Sequence, residues 1–132
     1  MHTLFLLASL LAVQGEVFVP VANVTEIMQT LVIPSSNELF NVGLEVPDTD
    51  EGWQLVEQNA LILAESANLL MLPSRSEGRQ GWIDAAQDMS AAGRQALEAA
   101  RGRNGDMDEW FAVADQVLEA CSSCHDEYWI VN

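Results

Sequence analysis

Apolar residues along the chain recur at the three- and four-residue spacing of amphipathic α-helices, and no stretch shows the period of two typical of a half-buried strand. Four helical segments follow from this pattern. The first begins near Asn23 or Thr25, is kinked or interrupted at Pro34, and stops at Gly43. Its apolar positions are Val24, Ile27, Met28, Leu31, Val32, Leu39, Phe40 and Val42.

The second helix is predicted to begin at a capping box formed by Asp48 and Glu51. It ends at Pro73, which cannot continue a helix, and the polar, glycine-containing residues 73–80 form the middle loop. Its apolar stripe consists of Trp53, Val56, Ala60, Leu63, Ala67 and Leu70.

The third and fourth helices show the same spacing of apolar residues. The third begins near Gly81 and fades between Gly102 and Gly105. The fourth begins with Asp106 and Glu109, a second capping-box pair. The stripe of the third helix comprises Trp82, Ala85, Ala86, Met89, Ala92, Ala96 and Leu97, and that of the fourth Trp110, Val113, Ala114, Val117, Cys121, Cys124, His125 and Tyr128.

Four amphipathic helices with short connections predict an all-α protein folded as an antiparallel up-down-up-down four-helix bundle. We expect residues 16–132 to form this single domain. Residues 1–15 are predicted to be a secretory signal peptide, because the apolar run from Leu4 to Val13 is too short to span a bilayer and Gly15 suits a cleavage point. No lysine or arginine precedes that run, so a mis-assigned start or an uncleaved anchor stays open. The expected location is the periplasm, with no stable membrane insertion after processing.

The end of the fourth helix carries a C-x-x-C-H sequence from Cys121 to His125. This is the attachment motif of c-type haem, in which the two thiols add to the vinyl groups and the imidazole binds iron. Because helical residues advance by about 100° each, Cys121, Cys124 and His125 share the bundle-facing side with Trp110 and Val117. The expected cofactor is one covalent haem c, with Cys121 and Cys124 as thioether sites and His125 as the proximal axial ligand.

Three other chemistries use the same residue types. A structural zinc site needs about four ligands, and no second Cys or His pair exists. A thioredoxin-like dithiol would follow a strand at the start of a helix rather than lie near the end of a long one. A disulfide between residues three apart within a helix would be strained. Haem attachment is therefore the preferred interpretation.

A second iron ligand would have to come from an upstream helix, because few residues follow His125. Met107 is excluded, since it lies about 27 Å from His125 along the same helix. In an up-down-up-down bundle, Met28 is level with His125, whereas Met71 is close to a loop and Met89 is nearer mid-bundle. Met28 is thus the candidate distal axial ligand, with a purely apolar core role as the alternative. The expected walls of the distal pocket are Leu70, Leu72 and Trp82.

The charge of the chain is strongly negative, with five arginines, no lysine, twenty acidic residues and a formal net charge of −15. Nucleic acid and anionic membranes would repel such a surface, so neither is an expected partner. A redox protein with a basic docking face would be attracted to it. The alternative is a surface suited to solubility, since the acidic residues are spread along the chain.

A helical bundle with Cys121, Cys124 and His125 near its end, followed by Tyr128, resembles the cytochrome c′ family, including its methionine-ligated low-spin relatives. The resemblance covers residues 16–132 and implies one covalent haem and a homodimer through the first two helices. It also implies either a six-coordinate electron carrier with a distal methionine or a five-coordinate haem that binds NO or CO. Two features depart from the family: no basic residue follows the motif, and the first helix carries Glu26 instead of a basic residue.

The leading functional hypothesis is electron transfer by a periplasmic monohaem c-type cytochrome. The alternative is sequestration or sensing of NO or CO on a five-coordinate haem, and a haem-free thiol oxidoreductase is third. No enzymatic activity is expected. The only other histidine, His2, lies in the predicted signal peptide, and no acidic pair has a pattern that identifies it as catalytic.

Overall fold

A computed structural model describes residues 18–103 and 105–128, so the predicted signal peptide lies outside the described residues. Within those ranges every regular element is helical, which confirms the predicted all-α class. No helix in this part of the chain combines the length and apolarity needed to cross a membrane. The elements are α1 (Val24–Ile27), a π-helical turn (Met28–Val32), α2 (Ile33–Val42), α3 (Asp50–Leu70), α4 (Pro73–Ser76), α5 (Gln80–Gly102) and α6 (Met107–Tyr128).

The first three elements follow one another without a break, and together they are called the N-terminal rod. It starts at a capping box: the Asn23 side chain accepts a hydrogen bond from the backbone N of Glu26 (2.9 Å), and the Glu26 carboxylate accepts one from the backbone N of Asn23 (2.8 Å). Pro34 does not end the helix. The backbone directly before it widens into the π-helical turn, in which the N–H of Ile33 donates to the carbonyl of Met28. Pro34 has no N–H to continue the ordinary ladder, which accounts for a break in regularity at this point.

One of the two predicted helix caps, that of α6, is found at the expected residue, and the other, that of α3, is not. Thr49 caps α3, with its hydroxyl accepting a hydrogen bond from the backbone N of Gly52 at 3.1 Å, so the predicted capping box at Asp48 is wrong by one residue. Asp106 caps α6 as predicted, because its carboxylate accepts from the backbone N of Asp108 (2.9 Å) and of Glu109 (3.4 Å).

The loop predicted over residues 73–80 contains the short helix α4, and its Arg75 and Ser76 are buried. The helix before it ends earlier than expected, at Leu70, with Met71 as its C-cap. A segment that is polar in sequence therefore folds back onto the helices instead of extending into solvent.

α5 packs against both α3 and α6, and the N-terminal rod packs against α3. The contact between α3 and α5 is tight at Gly93, where an added Cβ would lie 2.7 Å from the backbone N of Ala64. Glycine is therefore required at this crossing. The predicted stripes form one core, whose largest fully buried side chains include Trp110, Ile27, Leu39 and Leu63.

Candidate functional site

The predicted haem-binding residues meet at one cavity. Cys121, Cys124 and His125, on the last turns of α6, are each half-buried and line a cavity of about 90 Å³. Met28 reaches the same cavity from the π-helical turn of the N-terminal rod. The structure thus brings Met28 and His125 from opposite ends of the described chain into one site.

A larger groove of about 630 Å³ adjoins this cavity. Its volume falls within the range of roughly 300–1,000 Å³ that is typical of pockets for small molecules and cofactors. Cys121 lines only the small cavity, whereas Tyr128 lines only the groove. The residues that line both are Met28, Ile33, Trp82, Cys124 and His125.

The small cavity has an apolar wall. Trp82 is fixed in it, because its indole N–H donates a hydrogen bond of 2.8 Å to the carbonyl oxygen of Leu70. Leu70 and Trp82 line the cavity as expected, but the placement of Leu72 is wrong: it lines a separate apolar cavity of about 390 Å³ beside Ile27. The remaining apolar residues of the small cavity are Val32, Ile33, Ala85, Ala86, Met89 and Ala120.

The methionines divide into two groups. Met28, half-buried, and Met89, 5% exposed, both line the cavity that contains His125. Met71 packs against the core without lining this cavity or the groove, and Met107 is the first residue of α6. Sequence reasoning set Met89 aside as mid-bundle, but the rotation of α5 turns its side chain toward the site.

The environment of the thiols bears on their chemistry. Burial raises the pKa of Cys121. The pKa of Cys124 is also raised, mainly by burial and then by the neighbouring Cys121 and Glu127, while Arg79 opposes these effects. Neither thiol therefore shows the lowered pKa that is typical of a reactive, nucleophilic cysteine. Both cysteines are free, which leaves their sulfur atoms open to thioether formation.

A cationic and aromatic cluster at the groove was missed by sequence reasoning. The Arg79 guanidinium carbon lies 4.7 Å from the centre of the Trp82 ring and 5.3 Å from that of Tyr128. The two rings meet edge to face with centroids 5.4 Å apart. No basic residue follows His125 in sequence, but Arg79 comes from the segment before α5 and contacts Tyr128 of α6. The available signal was the presence of two of the five arginines, Arg75 and Arg79, in one short segment.

Arg75 closes the other side of the groove and is 8% exposed. Its Nη1 donates to the carbonyl of Leu69 (2.8 Å) and its Nη2 to that of Ala22 (2.7 Å). Its Nε is buried and has no hydrogen-bond partner among residues 18–103 and 105–128. Arg75 therefore ties the start of the N-terminal rod to the end of α3 while keeping one buried donor unsatisfied.

The donor set at the cavity consists of two thiols and one imidazole. Within the described ranges no group of three or more His, Cys, Asp or Glu residues could hold a bare metal ion. Two thiols and an imidazole on adjacent turns, beside an apolar cavity and a groove of cofactor size, fit covalent haem. Comparison of the chain with protein-family models, curated proteins and solved structures found no match, so a functional assignment rests on these residues alone.

Proposed function

We propose that this chain is a periplasmic monohaem c-type cytochrome that transfers single electrons through the Fe(III)/Fe(II) couple. The supporting observation is the meeting of Cys121, Cys124 and His125 with Met28 at one cavity that opens beside a groove of cofactor size. The packing of α5 on α3 and α6, with the N-terminal rod on α3, supports the four-helix bundle of the cytochrome c′ type. In this proposal residues 16–132 form the haem domain.

The residues have separate roles. Cys121 and Cys124 would form the thioethers, His125 would be the proximal ligand, and the haem would supply one-electron redox chemistry. The apolar wall of the cavity excludes water, and Trp82 is held rigid in that wall by its hydrogen bond to Leu70. Exclusion of water would disfavour the extra positive charge of oxidised iron, so this wall would raise the redox potential of a bound haem.

Met28 is the proposed distal ligand, because it lines both the cavity and the groove together with His125. Met28 is the first residue of the π-helical turn. Such backbone irregularities are frequent at functional sites. Met89 is the other methionine at the cavity. Because Met89 is more deeply buried, we assign it to the wall.

The proposed partner is a redox protein with a basic docking face, attracted by the net charge of −15. Association should therefore slow steeply as salt is added. A homodimer stays a prediction from the family resemblance. Nucleic acid and stable membrane insertion are not part of the proposal.

The test is absorption spectroscopy of the purified holoprotein, oxidised and reduced, with and without CO, alongside intact-mass measurement. Wild-type protein is expected to carry the mass of one haem and to show a low-spin reduced spectrum that CO does not change. Met28→Ala should become high-spin and bind CO. Met71→Ala is the matched control, since Met71 lines neither the cavity nor the groove, and it should behave as wild type.

Binding of NO or CO is the second candidate function, and the apolar cavity of about 90 Å³ favours it. Apolar walls such as these suit an uncharged diatomic molecule beside the iron. On this alternative, wild-type protein is high-spin when reduced and takes up CO readily, and Met28→Ala leaves the resting spectrum unchanged. Absence of added haem mass would exclude both functions. The haem-free thiol oxidoreductase would then be the remaining hypothesis.

A further inference from the structure

We infer that Arg79, supported by Arg75, binds a carboxylate group of the haem at the groove. The inference rests on the proposed haem attachment and adds a binding site that the C-x-x-C-H motif does not specify. Both arginines line the groove of about 630 Å³, and Cys124 and His125 line the same groove. The predicted covalent attachment point and two positive charges therefore share one opening.

Arg79 is held in a fixed orientation. Its Nε donates to the carbonyl of Ser76 (3.1 Å) and its Nη2 to the carbonyl of Arg75 (2.9 Å), while its guanidinium contacts the rings of Trp82 and Tyr128. Nη1 makes no hydrogen bond with any residue in the described part of the chain, so it is available to an acceptor in the groove. A guanidinium fixed before the ligand arrives loses little entropy on binding.

The carboxylate of Glu77 lies near Arg79 but interacts with its guanidinium only weakly. Glu77 Oε2 lies 4.0 Å from Nη2, and the Glu77 side chain is 72% exposed. Exposed pairs at such distances contribute little to stability, because solvent screens the two charges. A carboxylate of the cofactor, shielded inside the groove, would interact with Arg79 more strongly.

Arg75 provides a second, independent reason to expect an anion. It is 8% exposed, its side chain hydrogen-bonds only to carbonyl oxygens, and its Nε is buried without a partner among the described residues. The ion pairs in residues 18–103 and 105–128 involve Arg79 and Arg103 but not Arg75. A buried cation without a counter-charge is unfavourable, so an anion in the adjoining groove would offset that cost.

The chemistry of the cofactor supplies this anion. A haem carries two propionate groups, and the surrounding chain, with its net charge of −15, would repel them almost everywhere. Arg75 and Arg79 are two of only five cations. Arg79 places one of these cations against Tyr128, one turn beyond Cys124 on the same helix.

The test uses holoprotein carrying Arg79→Gln, with Arg79→Lys as the conservative variant and Arg94→Gln as the matched control. Arg94 is exposed on α5 and lines neither the cavity nor the groove. Arg75 is left intact, because its hydrogen bonds to Leu69 and Ala22 hold the fold together. Intact mass first establishes that each variant carries haem.

Two readouts then report on the propionates themselves. The propionate bending band in resonance Raman spectra should shift in Arg79→Gln, because the band responds to hydrogen bonding at those carboxylates. The pH range over which the midpoint potential falls should move to higher pH, since a propionate that loses its cation holds its proton more tightly. Arg79→Lys should restore the potential profile in part, and Arg94→Gln should match wild type.

The outcomes separate the inference from the proposed function. If Arg79→Gln carries haem but matches Arg94→Gln in both readouts, the carboxylate site is overturned and the cytochrome proposal stands. If the propionate band is the same in Arg79→Gln and wild type, and added acetate binds to wild type but not to Arg79→Gln, the site binds anions from solution and the assignment to the propionates is wrong. If wild-type protein carries no haem, both proposals fall.

Discussion

Two aromatic clusters of the protein differ in what surrounds them. Trp53 of α3 and Trp110 of α6 have ring centroids 6.0 Å apart and are 6% and 1% exposed. Trp82 and Tyr128 also meet, at 5.4 Å, but they border the groove and share an arginine. Trp82 is as buried as Trp53, at 6% exposed, but it and Tyr128 line an opening, whereas the first cluster lies wholly within the core. The same helical periodicity thus produces a filled core in one place and the lining of a candidate site in the other.

This difference has a simple physical origin. Where α5 and α6 border the cavity beside the second cluster, many of the lining side chains are small: alanines on both helices and cysteines on the last turns of α6. Close-packed interiors leave few voids larger than a water molecule, so unfilled space lined by a chemically distinctive set of residues is informative. The open region is where we propose that haem supplies the missing apolar volume.

The largest expected effect in the comparison is that of truncating the two tryptophans. Trp110→Ala should lower the free energy of unfolding by about 3–5 kcal/mol, because a fully enclosed ring leaves a cavity. Trp82→Ala should cost less, since one side of that ring already borders open space. Urea unfolding of both variants in the same haem state measures the two values. Equal losses would show that the two clusters are packed alike and would remove the contrast.

A smaller effect is expected where α3 and α5 approach most closely. Gly93→Ala should destabilise the fold by about 1–3 kcal/mol, because the new methyl group would meet the backbone of Ala64. Gly102→Ala is the control: an added Cβ there meets nothing within 4 Å. Thermal unfolding compares them. A neutral Gly93→Ala would mean that the helices can separate here without cost, and that the closed part of the core is less rigid than its burial indicates.

The smallest effect separates stability from site geometry. Asn23→Ala and Thr49→Ala each remove a helix cap and should each cost about 1 kcal/mol. Only Asn23 lines the groove, at the start of the rod that carries Met28, so only Asn23→Ala should also alter the haem spectrum. Chemical unfolding gives the first quantity and absorption the second. If both variants change the spectrum equally, the site depends on overall stability and not on the start of the rod.

Much of the helical layout was predictable because its causes are local. The Asp106 cap of α6 and the buried apolar stripes follow from residues a few positions apart. The cap of α3 was misplaced because Asp48 and Thr49 are both good N-caps and only the backbone geometry selects between them. The positions of Met89 and Leu72 relative to the cavity were predicted wrongly, because their side-chain directions depend on how each helix is rotated about its axis. The spacing of apolar residues defines that rotation only to within part of a turn.

By itself, the sequence determined that the protein is helical, which apolar stripes form the core, and that Cys121, Cys124 and His125 share one helical face. These properties depend on contacts within about one turn of helix. Only the tertiary structure decided that Met28 reaches the same cavity and that Arg79 contacts Tyr128 beside it. Those contacts join segments that are distant in the chain. They depend on how whole helices cross, rotate and space themselves, which no local sequence pattern specifies.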